Sequence, residues 1–65
     1  MAIEFDAVKL GDTIRVKTWS GPVVTGVVDD KDYEGKNGRS TLGYEIVDTG
    51  AGHWCYMDQV VSIVK

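Results

Sequence analysis

No stretch of ten or more residues in this 65-residue chain carries apolar side chains at helical spacing, whereas eight glycines and a succession of β-branched residues divide it into short segments. A helix needs an apolar stripe recurring about every 3.6 residues, and a strand needs alternation bounded by turn residues. The chain therefore reads as all-β. Alternation is cleanest from Asp12 to Trp19, with Ile14, Val16 and Thr18 on one face and Thr13, Arg15, Lys17 and Trp19 on the other, the pattern of a half-buried strand. Ser20-Gly21-Pro22 then forms a turn, because glycine accepts positive φ and proline fixes φ while offering no ladder donor. Val23 to Asp30 is expected to be the second strand, with Gly26 permitting a bulge or bend.

From Lys31 to Thr41 the chain is polar and holds Gly35 and the turn pair Asn37-Gly38, so this stretch is expected to be the longest loop. Leu42, Tyr44 and Ile46 alternate against Gly43, Glu45 and Val47, and Glu45 selects the face that points to water. The glycines of residues 48–52 turn the chain into a fourth strand, His53 to Met57. Asp58-Gln59-Val60 is expected to make one helical or 3₁₀ turn before a short last strand, Val61 to Val64. Ahead of the first strand, residues 1–11 form a lead-in in which Phe5, Val8 and Leu10 lay apolar side chains over one end of the domain, with room for a short helical turn.

Size limits what such a chain can do. A domain of 65 residues builds one core, and below about 70–80 residues that core supplies only about 3–5 kcal/mol unless a disulfide, a metal or self-association adds to it. Cys55 is the single cysteine, which excludes an intrachain disulfide. With His53 it makes two of the four ligands a structural zinc requires. On a strand the two point to the same face about 7 Å apart, which points to a structural thiol rather than a Cys–His nucleophile. The carboxylates Asp29, Asp30, Asp32 and Glu34 lack the spacing of a calcium loop and read as a solvated acidic stretch that opposes edge-to-edge aggregation. No metal or cofactor is expected. Seven Lys and Arg against ten Asp and Glu give a net charge of −3, which disfavours nucleic acid unless the cations gather on one face. The N-terminal residues lack a basic and an apolar signal region, and no run approaches a membrane span. With one free thiol the expected location is cytoplasmic.

The order of these elements resembles the SH3-like small barrels, which implies an all-β, five-stranded barrel with a short 3₁₀ turn before its last strand. Gly11-Asp12-Thr13-Ile14-Arg15-Val16, followed by Gly21-Pro22-Val23-Val24-Thr25-Gly26-Val27-Val28, is similar to the KOW pattern of ribosomal proteins and transcription elongation factors. Met57-Asp58-Gln59-Val60 with the strand after it resembles the closing turn of the same barrels. The likeness runs from Gly11 onward and rests on a few glycines, a proline and alternating apolar residues, so it speaks to architecture more than to function. The chain departs from nucleic-acid-binding KOW domains in lacking their basic surface. A second resemblance is to the plasmid-encoded, trimethoprim-insensitive dihydrofolate reductases, tetramers whose pore is lined by a Val-Gln-Ile-Tyr strand. Here that strand is His53-Trp54-Cys55-Tyr56, matching only at its last residue. A short acidic chain of this kind also resembles accessory proteins of phages and mobile elements.

The six aromatic residues are the most informative set. In the register set by the closing turn, His53, Cys55 and Met57 face inward while Trp54 and Tyr56 join Trp19 outside; a slip of one residue instead places Trp54 and Tyr56 in the core and exposes Cys55. Outward Trp and Tyr suit a protein interface, because they offer large rigid area with few rotors to immobilise. The leading expectation is a non-catalytic module that binds a protein partner, or its own copy, through Trp19, Trp54 and Tyr56, with Arg15 and Lys17 at the rim. The alternative is a KOW- or Tudor-like nucleic-acid binder in which Arg15, Lys17, Lys36 and Arg39 line one side and aromatics stack on bases. Outward Trp and Tyr suit stacking on bases or caging a methylated lysine, with Tyr33 and Tyr44 as partners. A third reading is an oligomeric enzyme of the dihydrofolate reductase kind. No membrane partner is expected.

Overall fold

The structure, a computed structural model, describes residues 3–64. It contains β1 (Thr13–Lys17), β2 (Val23–Lys36), β3 (Arg39–Ile46), β4 (Gly52–Tyr56) and β5 (Val60–Val64), with 3₁₀ turns at Phe5–Ala7 and Met57–Gln59. All five strands pair antiparallel in one sheet of order β4-β3-β2-β1-β5. The all-β class, the five strands and the 3₁₀ turn ahead of the last one are as the sequence predicts.

That order forces the sheet to curl. β4 and β5 are its opposite edges, four inter-strand spacings apart, which in a flat sheet is about 19 Å. Yet only Met57–Gln59 joins them, and a 3₁₀ turn rises about 2 Å per residue. The edges must therefore approach each other, in keeping with a shape of 29 × 25 × 22 Å. Inside the curl lies one cluster drawn from every strand and the lead-in: Val8, Ile14, Val16, Val28, Leu42, Tyr44, Cys55 and Val60. Ile14 pairs with Gly26 on one side and Ile63 on the other, so the inward residues of β1 meet both neighbours at the centre of the core.

Three local expectations are corrected. Residues 31–41 are not a loop but the arm of a long hairpin, with Lys31 paired to Leu42, Asp32 to Thr41 and Lys36 to Arg39. Asn37 (φ 54°) and Gly38 (φ 70°) make its tip, both at positive φ as a two-residue hairpin turn of the primed type demands. No bulge falls at Gly26, which pairs in register with Ile14 and Ile46; the register shifts come later, between Val28 and Asp30 and between Asp32 and Lys36. Gly26 is needed because the Tyr44 ring lies on it: a Cβ there would sit 2.5 Å from Tyr44 Cδ2. Leu10 does not cover the core but is 65% exposed. It stands at the tip of a turn closed by the Asp12 N–H donating to the Lys9 carbonyl (3.0 Å), with the Gly11 N–H drawn to the Val28 carbonyl (2.8 Å).

Of the lead-in, residues 1 and 2 lie outside the described residues, while Phe5 and Val8 turn their side chains to the core. Val8 is fully buried and Phe5 partly so. Lys31 fastens this segment to β2 by donating its ammonium to the Val8 carbonyl while lying over the Phe5 ring, 4.2 Å from its centroid. The Tyr33 ring also meets Phe5, at 5.6 Å and edge to face.

Candidate functional site

The curl brings the turn after β1 against β4, and this seam is where the aromatic residues meet. Trp19 sits in that turn, which is fixed by the Thr18 N–H and hydroxyl both donating to the Pro22 carbonyl (3.0 and 2.7 Å) and the Gly21 N–H donating to the Thr18 carbonyl (3.0 Å). Its ring meets Trp54 at 5.5 Å and Tyr56 at 5.7 Å, while Trp54 and Tyr56 meet at 5.2 Å. All three contacts are edge-to-face, the arrangement that sets the positive edge of one ring against the negative face of another.

The three rings differ in exposure. Trp19 is 67% exposed and Trp54 38%, but Tyr56 only 8%. The register of β4 is thus the one with Cys55 inward and Trp54 outward; Cys55 is buried opposite Leu42. Tyr56 corrects the expectation of a third surface ring. It lies on the outer side yet is roofed by Trp19, by the Arg39 guanidinium 3.9 Å from its centroid, and by Asn37, whose side-chain N–H donates to the Tyr56 hydroxyl at 2.8 Å. The hairpin tip provides that roof. Inward-facing His53 is likewise not buried: its ring is exposed at the sheet margin and stacks on Tyr44 at 6.1 Å.

Charge gathers around the rings. Lys36 lies over Trp54 at 4.8 Å, and Arg39, on Tyr56, also pairs with the Asp58 carboxylate. Cation–π contacts at exposed sites are worth about 0.5–1 kcal/mol each, and a half-exposed ion pair about 0–1 kcal/mol. These groups set the local field more than the stability. A groove of about 520 Å³ opens between the β1 turn and the hairpin tip, lined by Lys17, Thr18, Trp19, Arg39, Tyr56 and Asp58 among others. Lys17 lines this groove beside Trp19. Arg15 does not line it: it lies exposed in β1 between Thr25 and Ser62. Tyr33 and Tyr44 are also elsewhere, one against Phe5 and the other in the core.

Sequence reasoning missed Gln59. Its side-chain carbonyl accepts from the Tyr56 N–H at 3.0 Å, and its amide donates to the Lys17 carbonyl at 3.1 Å. One amide thus ties the end of β4 to the end of β1 across the groove floor. The first bond follows the spacing of a capping box, in which the third residue of a turn reaches back to its cap. The second has no local signature.

Among the described residues, no three of His, Cys, Asp and Glu come together as a metal cluster. Burial pushes the Cys55 thiol up to about 11, which keeps it protonated and poorly nucleophilic at neutral pH. Asp29, Asp30, Asp32 and Glu34 lie exposed along the hairpin arm. No helix among the described residues is long and apolar enough to cross a membrane. No family model, curated protein or solved structure matches the chain.

Proposed function

We propose that the protein is a non-catalytic interaction module on an SH3-like scaffold, which engages a protein surface through the face of Trp19 and Trp54, with the buried Tyr56 ring supporting them. The scaffold reading is supported by the sheet order β4-β3-β2-β1-β5 and by the 3₁₀ turn ahead of the last strand. The observation that carries the functional reading is Trp19: its indole is 67% exposed on a rigidly bonded turn, beside a groove and above two rings that hold it in place. A large aromatic side chain pre-ordered at the surface is the commonest kind of interface anchor.

Trp19→Ala is expected to keep the far-UV circular dichroism and cooperative unfolding of the wild type while abolishing its complex, measured by sedimentation velocity of the protein alone and with a partner isolated from its native host. Trp54→Ala is expected to behave in the same way. A Trp19 variant that unfolds, or that forms the same complex as the wild type, refutes the reading.

One observation favours single-stranded nucleic acid as a second reading: Lys17, Lys36 and Arg39 stand beside the rings, as in stacking platforms for bases. Against it, the faces of Trp54 and Tyr56 are already taken by Lys36 and Arg39, which leaves Trp19 as the one open platform. Absence of binding to a single-stranded oligonucleotide at low salt eliminates this reading.

A further inference from the structure

The groove already holds a carboxylate. Asp58 reaches Arg39 where that guanidinium lies on the Tyr56 ring, so the spot accepts an acidic group beside an aromatic surface. Lys17 also lines the groove, next to Trp19, and among the described residues no carboxylate is a hydrogen-bond or ion-pair partner of its side chain. With Lys36 over Trp54, three of the chain's seven Lys and Arg surround the rings, in a protein whose net charge is −3. This local reversal of sign is the complement of an acidic segment, and the indole of Trp19 between the cations is the complement of an apolar one.

Resting on the module reading above, we propose that the groove receives an extended segment of a partner protein carrying carboxylates next to an apolar or aromatic side chain, and that Asp58 occupies the partner carboxylate's place on Arg39 in the free protein. The incoming carboxylates meet Lys17 and Arg39, the apolar side chain lies against Trp19, and Asp58 is displaced. Asp58 is then a competitor built into the chain, which weakens binding by as much as its own pairing is worth. For a half-exposed pair that is a factor of about two to five.

The test uses capped hexapeptides alternating Glu with Phe, Gln with Phe and Lys with Phe, and an oligothymidylate, titrated into the full chain while the indole N–H resonances of Trp19 and Trp54 are followed by NMR. The Glu/Phe peptide is expected to shift the Trp19 resonance and to bind several-fold more tightly than the Gln/Phe peptide. Asp58→Asn should tighten Glu/Phe binding about two- to five-fold, whereas Arg39→Gln and Lys17→Gln should weaken it and leave Gln/Phe binding unchanged. A merely structural role for Asp58 and Arg39 predicts losses from both substitutions and no difference between peptides. Should Asp58→Asn fail to fold, the Lys17→Gln comparison across the two peptides decides the matter alone.

Equal binding of Glu/Phe and Gln/Phe peptides, preference for Lys/Phe or for oligothymidylate, or a folded Asp58→Asn variant that binds no more tightly overturns the proposal. If peptide binding still depends on Trp19 but not on peptide charge, the acidic assignment falls while the module reading stands. If Trp19→Ala binds the Glu/Phe peptide as the wild type does, the module reading falls with it.

Discussion

Gln59→Glu changes one atom of a side chain that does two jobs, and the structure fixes which of them survives. A carboxylate still accepts from the Tyr56 N–H, now at 3.0 Å from the Gln59 carbonyl oxygen, but it cannot donate to the Lys17 carbonyl, now 3.1 Å from the amide nitrogen. At neutral pH the variant loses one hydrogen bond and sets two oxygens against each other. A net hydrogen bond is worth about 0.5–1.5 kcal/mol, and the partly exposed setting keeps the loss near the middle of that range, about 1 kcal/mol. For a domain of this size that lowers the unfolding midpoint by about 4–8 °C.

The deficit should also depend on pH. A protonated carboxyl donates to the Lys17 carbonyl as the amide did, so the folded state favours the protonated form and raises the carboxyl above its unfolded value. A raised acid costs nothing while both states are protonated, and its penalty grows as pH rises through the folded pKa. Thermal unfolding followed by circular dichroism should therefore show wild type and variant nearly coincident near pH 3.5 and separated at pH 7.5. Equal midpoints at pH 7.5, or the same gap at both pH values, would refute the account of Gln59 as the tie between β1 and β4.

Gly26→Ala should cost about 1–3 kcal/mol, because the new methyl group meets the buried Tyr44 ring at 2.5 Å and the Glu45 carbonyl at 3.1 Å. Gly43→Ala should cost less in the same denaturant titration, since the atoms in its way are the Asp29 carboxylate and the Asp30 Cβ, and an exposed carboxylate can swing aside. Cys55, with its thiol raised to about 11 by burial, should resist thiol reagents in the folded protein at pH 8 and react on addition of denaturant. The stability it contributes is complete below the unfolded thiol pKa and is lost as pH rises toward 11; Cys55→Ala should flatten this alkaline limb of a stability–pH curve, and an unchanged limb would count against the assignment.

What the sequence made legible follows from how each contact is encoded. Ile14 and Val16 take the side of the sheet that the sequence predicts, because alternation writes both faces of a strand into adjacent residues; for Cys55 and Trp54 alternation allows two registers, and it is the buried Cys55 opposite Leu42 that selects between them. The hairpin arm from Lys31 to Lys36 is not legible in this way, because it has no apolar face to alternate. For Tyr56 the register with Cys55 inward predicts the outer side, where the ring lies, and an exposed ring, whereas only 8% of it is exposed. Its cover comes from Trp19, Asn37 and Arg39, which lie 37, 19 and 17 positions away in the chain and reach it only once the sheet curls. Lys36 and Arg39 were recognised as cations, but their seats on two rings depend on the same hairpin tip. Gln59 is divided in the same way: its bond three residues back has a local pattern, and its bond to Lys17 has none.

The pairing of β1 with β5 has a kinetic side. Thr13 finds Val64 and Ile14 finds Ile63 across nearly the whole chain, and contacts of such separation are made late and slowly in all-β domains, over about milliseconds to seconds. Until β5 has docked, Gln59 has no carbonyl of Lys17 to hold, and Trp19, Trp54 and Tyr56 belong to parts of the chain that have not yet met. The groove is therefore a product of the final closing step. Refolding monitored by indole fluorescence and by the Lys17–Gln59 region should show the two reaching their native signals together.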